Sequence, residues 1–323
     1  MNRASPSTSL PKRLRRRVAR TLDKLTQNNY DAAKARYQRR TARGEGRFAG
    51  QPPLLIYTMG KVGSSSVLHS LTLLPDLGRP LYHLHSLAPG PLRELETELK
   101  PAFPDPQALV SLHHVWRCQY VVDKLAARPD ARVQAITLIR DPLARNLSDF
   151  FQQIHVEPLP NAAGVPRWKL VSSFHDFEIT ASEDDVGALI ELYFEKQWHD
   201  FPALWVDREL EGVLGIDVYA TPFPREQGYA IYQGPQADLL LIRLRDLDRC
   251  AAQALPEFLG LDAFTLVNAN VAEEKAYVDV YRAFKAQIAF PQSFLDRTYS
   301  SDFVQHFYSE DERQELMSRW AVG

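Results

Sequence analysis

The residues best suited to chemistry stand in one short run, YTMGKVGSSSV (57–67). One lysine, two glycines and three consecutive serines follow directly on the apolar stretch LLIYT (54–58). A short apolar stretch of this kind fits a buried parallel strand, and SSSVLHSLTLL (64–74) has the pattern of a helix behind it. A turn from strand into helix presents free backbone N–H groups at the positive end of the helix dipole. Such a turn accepts phosphate or sulfate. Gly60 and Gly63 let the backbone curl closely around an anion, Lys61 adds a positive charge, and Ser64, Ser65 and Ser66 add hydroxyl donors. The same residues also make an ordinary serine-capped helix start, and the spacing alone leaves both readings open.

The run is not a Walker A loop. That loop carries its lysine directly after the second glycine and a hydroxyl residue after the lysine. Here Lys61 precedes Gly63 and is followed by Val62. A second candidate lies in LIRDPLARNLSDFF, where Arg140 leaves an apolar run and Ser148 follows eight positions on. A guanidinium is a planar fork suited to phosphate, although Arg140 beside Asp141 could equally be an internal ion pair. His83 and His85 stand two apart in LYHLHSL, on one face of a strand, and histidine is the commonest general base at neutral pH. His113 and His114 fall inside a helical pattern and read as structural.

These residues need a frame that brings 57–67, 83–85 and 140–148 together. Strands are expected at 54–58, 80–87, 133–139 and 238–244. Helices are expected within 12–43, 64–74, 105–128 and 141–154, and from 182 through Trp205. Ser182 and Asp185 have capping-box spacing, SEDE (309–312) caps a last helix, and 156–180 reads as an irregular, proline-containing insertion. Alternating strands and helices predict an α/β fold, a P-loop-like three-layer arrangement with a mainly parallel sheet flanked by helices. In a parallel sheet the strand C-termini share one edge, so Arg140 belongs on the rim that carries the Lys61 loop.

The loop and the Arg140/Ser148 signature, in that order on two strands, resemble the sulfotransferases that use 3′-phosphoadenosine 5′-phosphosulfate (PAPS). WVDRELEGVLGIDVYATPF, LLLIRLRDLD and NANVAEEKAYVDVYRAFK resemble a bacterial subgroup of capsular polysaccharide synthesis proteins similar to them. The resemblance implies that Lys61, Gly63, Ser64, Ser65 and Ser66 hold the 5′-phosphosulfate, and Arg140 and Ser148 the 3′-phosphate. It also implies a base at His85 or His83, PAPS as co-substrate without a metal, and a hydroxyl-bearing acceptor, carbohydrate in this subgroup. Two family features are missing: a tryptophan at the place of Ser66 and a basic Arg-Lys-Gly run near the C-terminus. Asn270 and Lys275 are a weak substitute for the latter.

Composition sets the remaining bounds. At 45% hydrophobic and 24% charged residues the chain has the balance of a globular protein. Residues 1–50 hold 14 Lys/Arg against 3 Asp/Glu, whereas the whole chain is at −2, so a basic leader precedes an acidic body. That division predicts a helical or partly disordered extension over 1–50 and a folded domain over 51–323 with a helical C-terminal part, which the resemblance makes sulfotransferase-like. No apolar run reaches the roughly 20 residues of a membrane span. The two cysteines have no metal-ligand spacing. The expected place is the cytoplasm, with a peripheral position at the inner membrane face open through the basic leader and no nucleic-acid partner. The competing readings are a non-catalytic membrane-peripheral assembly factor and a P-loop-like phosphotransferase.

Overall fold

The computed structural model describes residues 29–48, 50–75, 77–159, 167–172, 176–180, 183–268 and 278–321. Ser182, Asn270 and Lys275 therefore lie outside the described residues. The strands in chain order are β1 (Leu54–Tyr57), β2 (Leu81–Leu84), β3 (Val133–Ile139), β4 (Ile154–Leu159), β5 (Arg167–Ser172), β6 (Asp176–Thr180), β7 (Tyr229–Gln233) and β8 (Ala237–Arg243). Five of them form the main sheet in the order β2-β1-β3-β8-β7. The first four run parallel and β7 is antiparallel to β8. The protein is thus α/β, with a mostly parallel sheet flanked by helices in a three-layer arrangement.

Burial along the strands follows from their places. Every residue of β1 is buried, and in β3 and β8 only the second residue is not. Strands covered on both faces read as continuous apolar runs, which is why these three were legible. The edge strands β2 and β7 carry alternating or mixed patterns. Register places Tyr57 opposite Leu84 and Ile139 opposite Arg243, so the C-terminal ends of β1, β2, β3 and β8 lie along one rim. The chain moves from β1 outward to β2, then returns to the other side of β1 for β3. That reversal makes the crevice between the ends of β1 and β3 a topological switch point, where ligands of open α/β sheets bind.

Two expectations are corrected. The insertion near 156–180 contains a three-stranded antiparallel sheet, β4-β5-β6, rather than only irregular chain. Pro158 lies in β4, an edge of that sheet, where a missing N–H is tolerated. The long helix expected through Trp205 is broken: one helix spans Glu183–Lys196 and another starts at Phe201, with Pro202 in its first turn. A six-residue π-helical turn, Val206–Glu211, follows it. The last helix, Glu310–Trp320, starts as expected, with a capping box between Ser309 and Glu312.

The chain divides into two compact units, Pro52–Ser86 with Asp130–Gly323, and Met1–Gln51 with Leu87–Pro129. The sheet belongs to the first. The second is helical, with helices Tyr30–Glu45, Pro89–Leu99 and Pro106–Ala126. Its core gathers Tyr30, Leu112 and Trp116. Trp116 Nε1 donates to the Tyr30 hydroxyl at 2.8 Å, and that hydroxyl donates to Glu96. Burial by itself raises the Glu96 pKa, but hydrogen bonds from Lys34, Tyr30 and Gln119 outweigh it and hold the carboxyl below its ordinary value.

Candidate anion site at the sheet rim

The loop leaving β1 is built from unusual backbone. Gly60, Lys61 and Gly63 have φ of 61°, 62° and 81°. For glycine this is inexpensive, whereas a left-handed lysine costs about 1 kcal/mol or more and persists where its surroundings impose it. Arg140 supplies one such constraint: its Nη1 donates to the Lys61 carbonyl at 3.0 Å. Gly63 occupies the N-cap of helix Ser64–Thr72, and no side chain of a described residue caps that helix. A Cβ at Gly63 would lie 2.5 Å from Leu244 Cδ1, so a side chain there must displace the leucine that follows β8. Ser66 N–H bonds the Gly63 carbonyl, while the N–H groups of Ser64 and Ser65 have no acceptor among the described residues. An uncapped helix start with free amides is suited to an anion.

The individual side chains divide among several tasks. Lys61 Nζ donates to Gln152 Oε1 at 2.6 Å, which anchors it to helix Pro142–Gln153. The buried Ser64 hydroxyl pairs with His83 Nε2 at 2.9 Å, so it faces the histidine pair. Ser66 is buried and Ser65 half-exposed. The rings of His83 and His85 meet edge to face with centroids 4.7 Å apart. His85 Nδ1 lies 2.8 Å from the Thr58 carbonyl. A carbonyl only accepts, so Nδ1 carries the proton and Nε2 holds the lone pair. The His85 carbonyl accepts from Trp205 Nε1 at 2.7 Å, and its ring lies against Gly60, where a Cβ would sit 3.8 Å away. His85 is thereby fixed from both ends.

Arg140 is the most telling group. Burial lowers its pKa below the ordinary arginine value, with Tyr281, Asp141 and Tyr308 pulling the other way. Its neighbour Asp141 does not pair with it. Asp141 Oδ1 accepts from the Tyr299 hydroxyl at 2.7 Å, and Oδ2 from Trp320 Nε1 and the Ala144 N–H, each at 3.1 Å. Burial raises the Asp141 pKa against those hydrogen bonds. Among the described residues, Arg140 has one carbonyl partner and no ion pair. Ser148 lies half-buried on helix Pro142–Gln153 with no side-chain hydrogen bond to a described residue.

Two groups escaped the sequence reading. Arg145, buried, reaches the Met59 carbonyl at 3.5 Å, Asp149 at 3.3 Å and Asn146 Oδ1 at 3.0 Å, and lies over the Phe201 ring. Glu209, on the π-helical turn, is fully buried and accepts from the Tyr57 hydroxyl, Ser86 Oγ at 2.7 Å and Arg208 Nε at 2.8 Å. It stands at the ends of β1 and β2. The signal for it was present: Trp205, Val206, Glu209 and Leu210 share one helical face, and a carboxylate on an apolar face is buried with partners. Among the described residues, no group of three or more His, Cys, Asp or Glu side chains is placed to hold a metal ion.

A family model described as "Putative capsular polysaccharide synthesis protein" matches residues 181–309, less than half of the chain. The matched segment contains Glu209 and strands β7 and β8, and the Lys61 loop and Arg140 lie outside it. No curated protein and no solved structure matches the chain. Among the described residues no helix is long and apolar enough to cross a membrane.

Proposed function

We propose that this protein is a sulfotransferase that moves a sulfuryl group from PAPS to a hydroxyl of a carbohydrate acceptor in surface polysaccharide synthesis. The observation that carries the reading is the half-buried, desolvated Arg140, without an ion pair among the described residues, beside an uncapped helix start in the switch-point crevice. The similarity of residues 181–309 to a capsular polysaccharide synthesis family supports the acceptor class. The residues suit a ligand with two anionic ends. The amides of Ser64 and Ser65, with Gly63, Ser66 and Lys61 around them, take the phosphosulfate. Arg140 and Ser148, joined by Lys275 from outside the described residues, take the 3′-phosphate.

PAPS supplies the activated sulfuryl group. The acceptor oxygen bonds to sulfur, the bond from sulfur to the bridging phosphate oxygen breaks, and the acceptor proton passes to His85 Nε2. Lys61 and the loop amides stabilise the charge that collects on the leaving phosphate, as fixed donors do in phosphoryl transfer. Glu209 holds the Tyr57 and Ser86 hydroxyls and so fixes the rim around His85. His83 orients the Ser64 side chain. The test is transfer of label from labelled PAPS to a panel of oligosaccharides. His85→Ala should lower transfer by about 100-fold while leaving product-nucleotide affinity within twofold or so. A folded protein that binds the nucleotide yet transfers to no hydroxyl acceptor would contradict the assignment of activity.

A further inference from the structure

The helical unit carries a feature the sulfuryl-transfer site does not use. Counted over Met1–Gln51 and Leu87–Pro129, it holds 19 Lys/Arg and 8 Asp/Glu, a net of +11, whereas the rest of the chain stands at −13. The described lysines of this unit are largely engaged: Lys34 pairs with Glu96, Lys124 with Glu45, and Lys100 approaches Asp31. The arginines of helix Tyr30–Glu45 are arranged differently. Arg36, Arg40 and Arg43 recur at steps of four and three, all exposed, with no ion pair to a described carboxylate.

Beside this stripe is a groove of about 820 Å³. Arg36 and Arg40 stand on its helix side, and Tyr37, Phe103, His113 and Trp116 line it. Tyr37 stacks on His113 with centroids 4.8 Å apart, and both rings contact Trp116, at 5.8 and 5.3 Å. Burial, then the charges of Arg117 and Arg40, lower the His113 pKa, so the groove is positive without needing His113 protonated. Aromatic faces carry partial negative charge and suit the C–H faces of sugar rings, while guanidinium forks suit carboxylate or sulfate.

We infer that this groove binds a strand of acidic polysaccharide, its sugar rings against the aromatic lining and its anionic groups on Arg36 and Arg40. Charge complementarity requires an anion. The recess favours a strand over a bilayer, because the exposed large apolar side chains among the described residues of this unit, Leu95 and Val110, lie outside the lining. The preference for a glycan rests on the proposed role in polysaccharide synthesis. The binding test contains no PAPS, so its failure leaves the sulfotransferase reading standing.

The experiment is calorimetric titration of the full chain with hyaluronan octasaccharide, a neutral maltooligosaccharide of the same length, a single-stranded oligothymidylate and vesicles of anionic phospholipid. Hyaluronan should bind and weaken with salt, and the maltooligosaccharide should bind at least about tenfold more weakly. Arg36→Ala/Arg40→Ala should weaken hyaluronan by about tenfold; both sites are exposed, so folding is preserved. Arg15→Ala/Arg16→Ala/Arg17→Ala in the basic leader should leave hyaluronan affinity within about threefold. Three results would overturn the inference: no hyaluronan binding, no effect of the Arg36/Arg40 exchange, or oligothymidylate or vesicles binding as tightly and losing as much with that exchange.

Discussion

Arg140 and Arg243 stand at the ends of neighbouring strands, and the chain treats them in opposite ways. Arg243, the last residue of β8, is 2% exposed and completely engaged. Its Nε donates to Asp246 at 2.6 Å, Nη1 to Glu312 and to the Phe307 carbonyl, each at 2.8 Å, and Nη2 to the Arg225 carbonyl at 2.6 Å. Arg140, one position beyond β3, is half-buried, and among the described residues it donates once, to the Lys61 carbonyl. A desolvated guanidinium that makes no ion pair is costly, and a ligand that completes it recovers that cost. The difference separates a structural arginine from the one to which the proposed function gives an anion.

The sharpest way to break that contrast is to remove each arginine in turn. Arg243→Ala strands two carboxylates and two carbonyls and should destabilise the protein by about 3–5 kcal/mol in denaturant unfolding. Arg140→Ala should change stability by no more than about 1 kcal/mol, because it removes a desolvated charge that makes no ion pair with a described residue. Equal destabilisation by both would erase the distinction. Asp141→Ala, next to Arg140 in sequence but bonded to Tyr299, Trp320 and Ala144, should cost about 3 kcal/mol in the same measurement. A small effect there would mean that Asp141 serves Arg140 after all.

Gly63→Ala sharpens the comparison from the loop side. Its Cβ meets Leu244, and its φ of 81° disfavours alanine, so a loss of about 1–3 kcal/mol is expected together with weaker anion binding. The smallest effect is in pH. Burial lowers the pKa values of His199 and His306, so the folded state holds both neutral. The unfolded chain takes up protons below about 6.5, so stability is full above that value and falls as pH drops through the lowered folded pKa values. Thermal melts between pH 7.5 and 5.5 should show the decline, and His199→Leu should flatten it.

How much was legible follows from which forces are local. The strands β1, β3 and β8 announced themselves as continuous apolar runs, and a shared rim for Lys61 and Arg140 followed from parallel pairing alone. The strands β4, β5, β6 and β7 did not, because antiparallel pairing depends on partners that sequence does not name, and Pro158 in β4 argued against a strand. Glu209 was missed for a related reason: it meets Tyr57 from 152 positions away. The tautomer of His85 is set by the Thr58 carbonyl, a contact no periodicity encodes.

The central claim is that Arg140 waits for the 3′-phosphate of a nucleotide whose other end lies on the Lys61 loop. Calorimetry with 3′-phosphoadenosine 5′-phosphate tests it most directly, on the wild type, Arg140→Ala and Ser148→Ala. The account predicts saturable binding by the wild type, about 100-fold weaker binding by Arg140→Ala at unchanged stability, and a smaller loss for Ser148→Ala. No binding by the folded wild type, or the same affinity in Arg140→Ala, would contradict it.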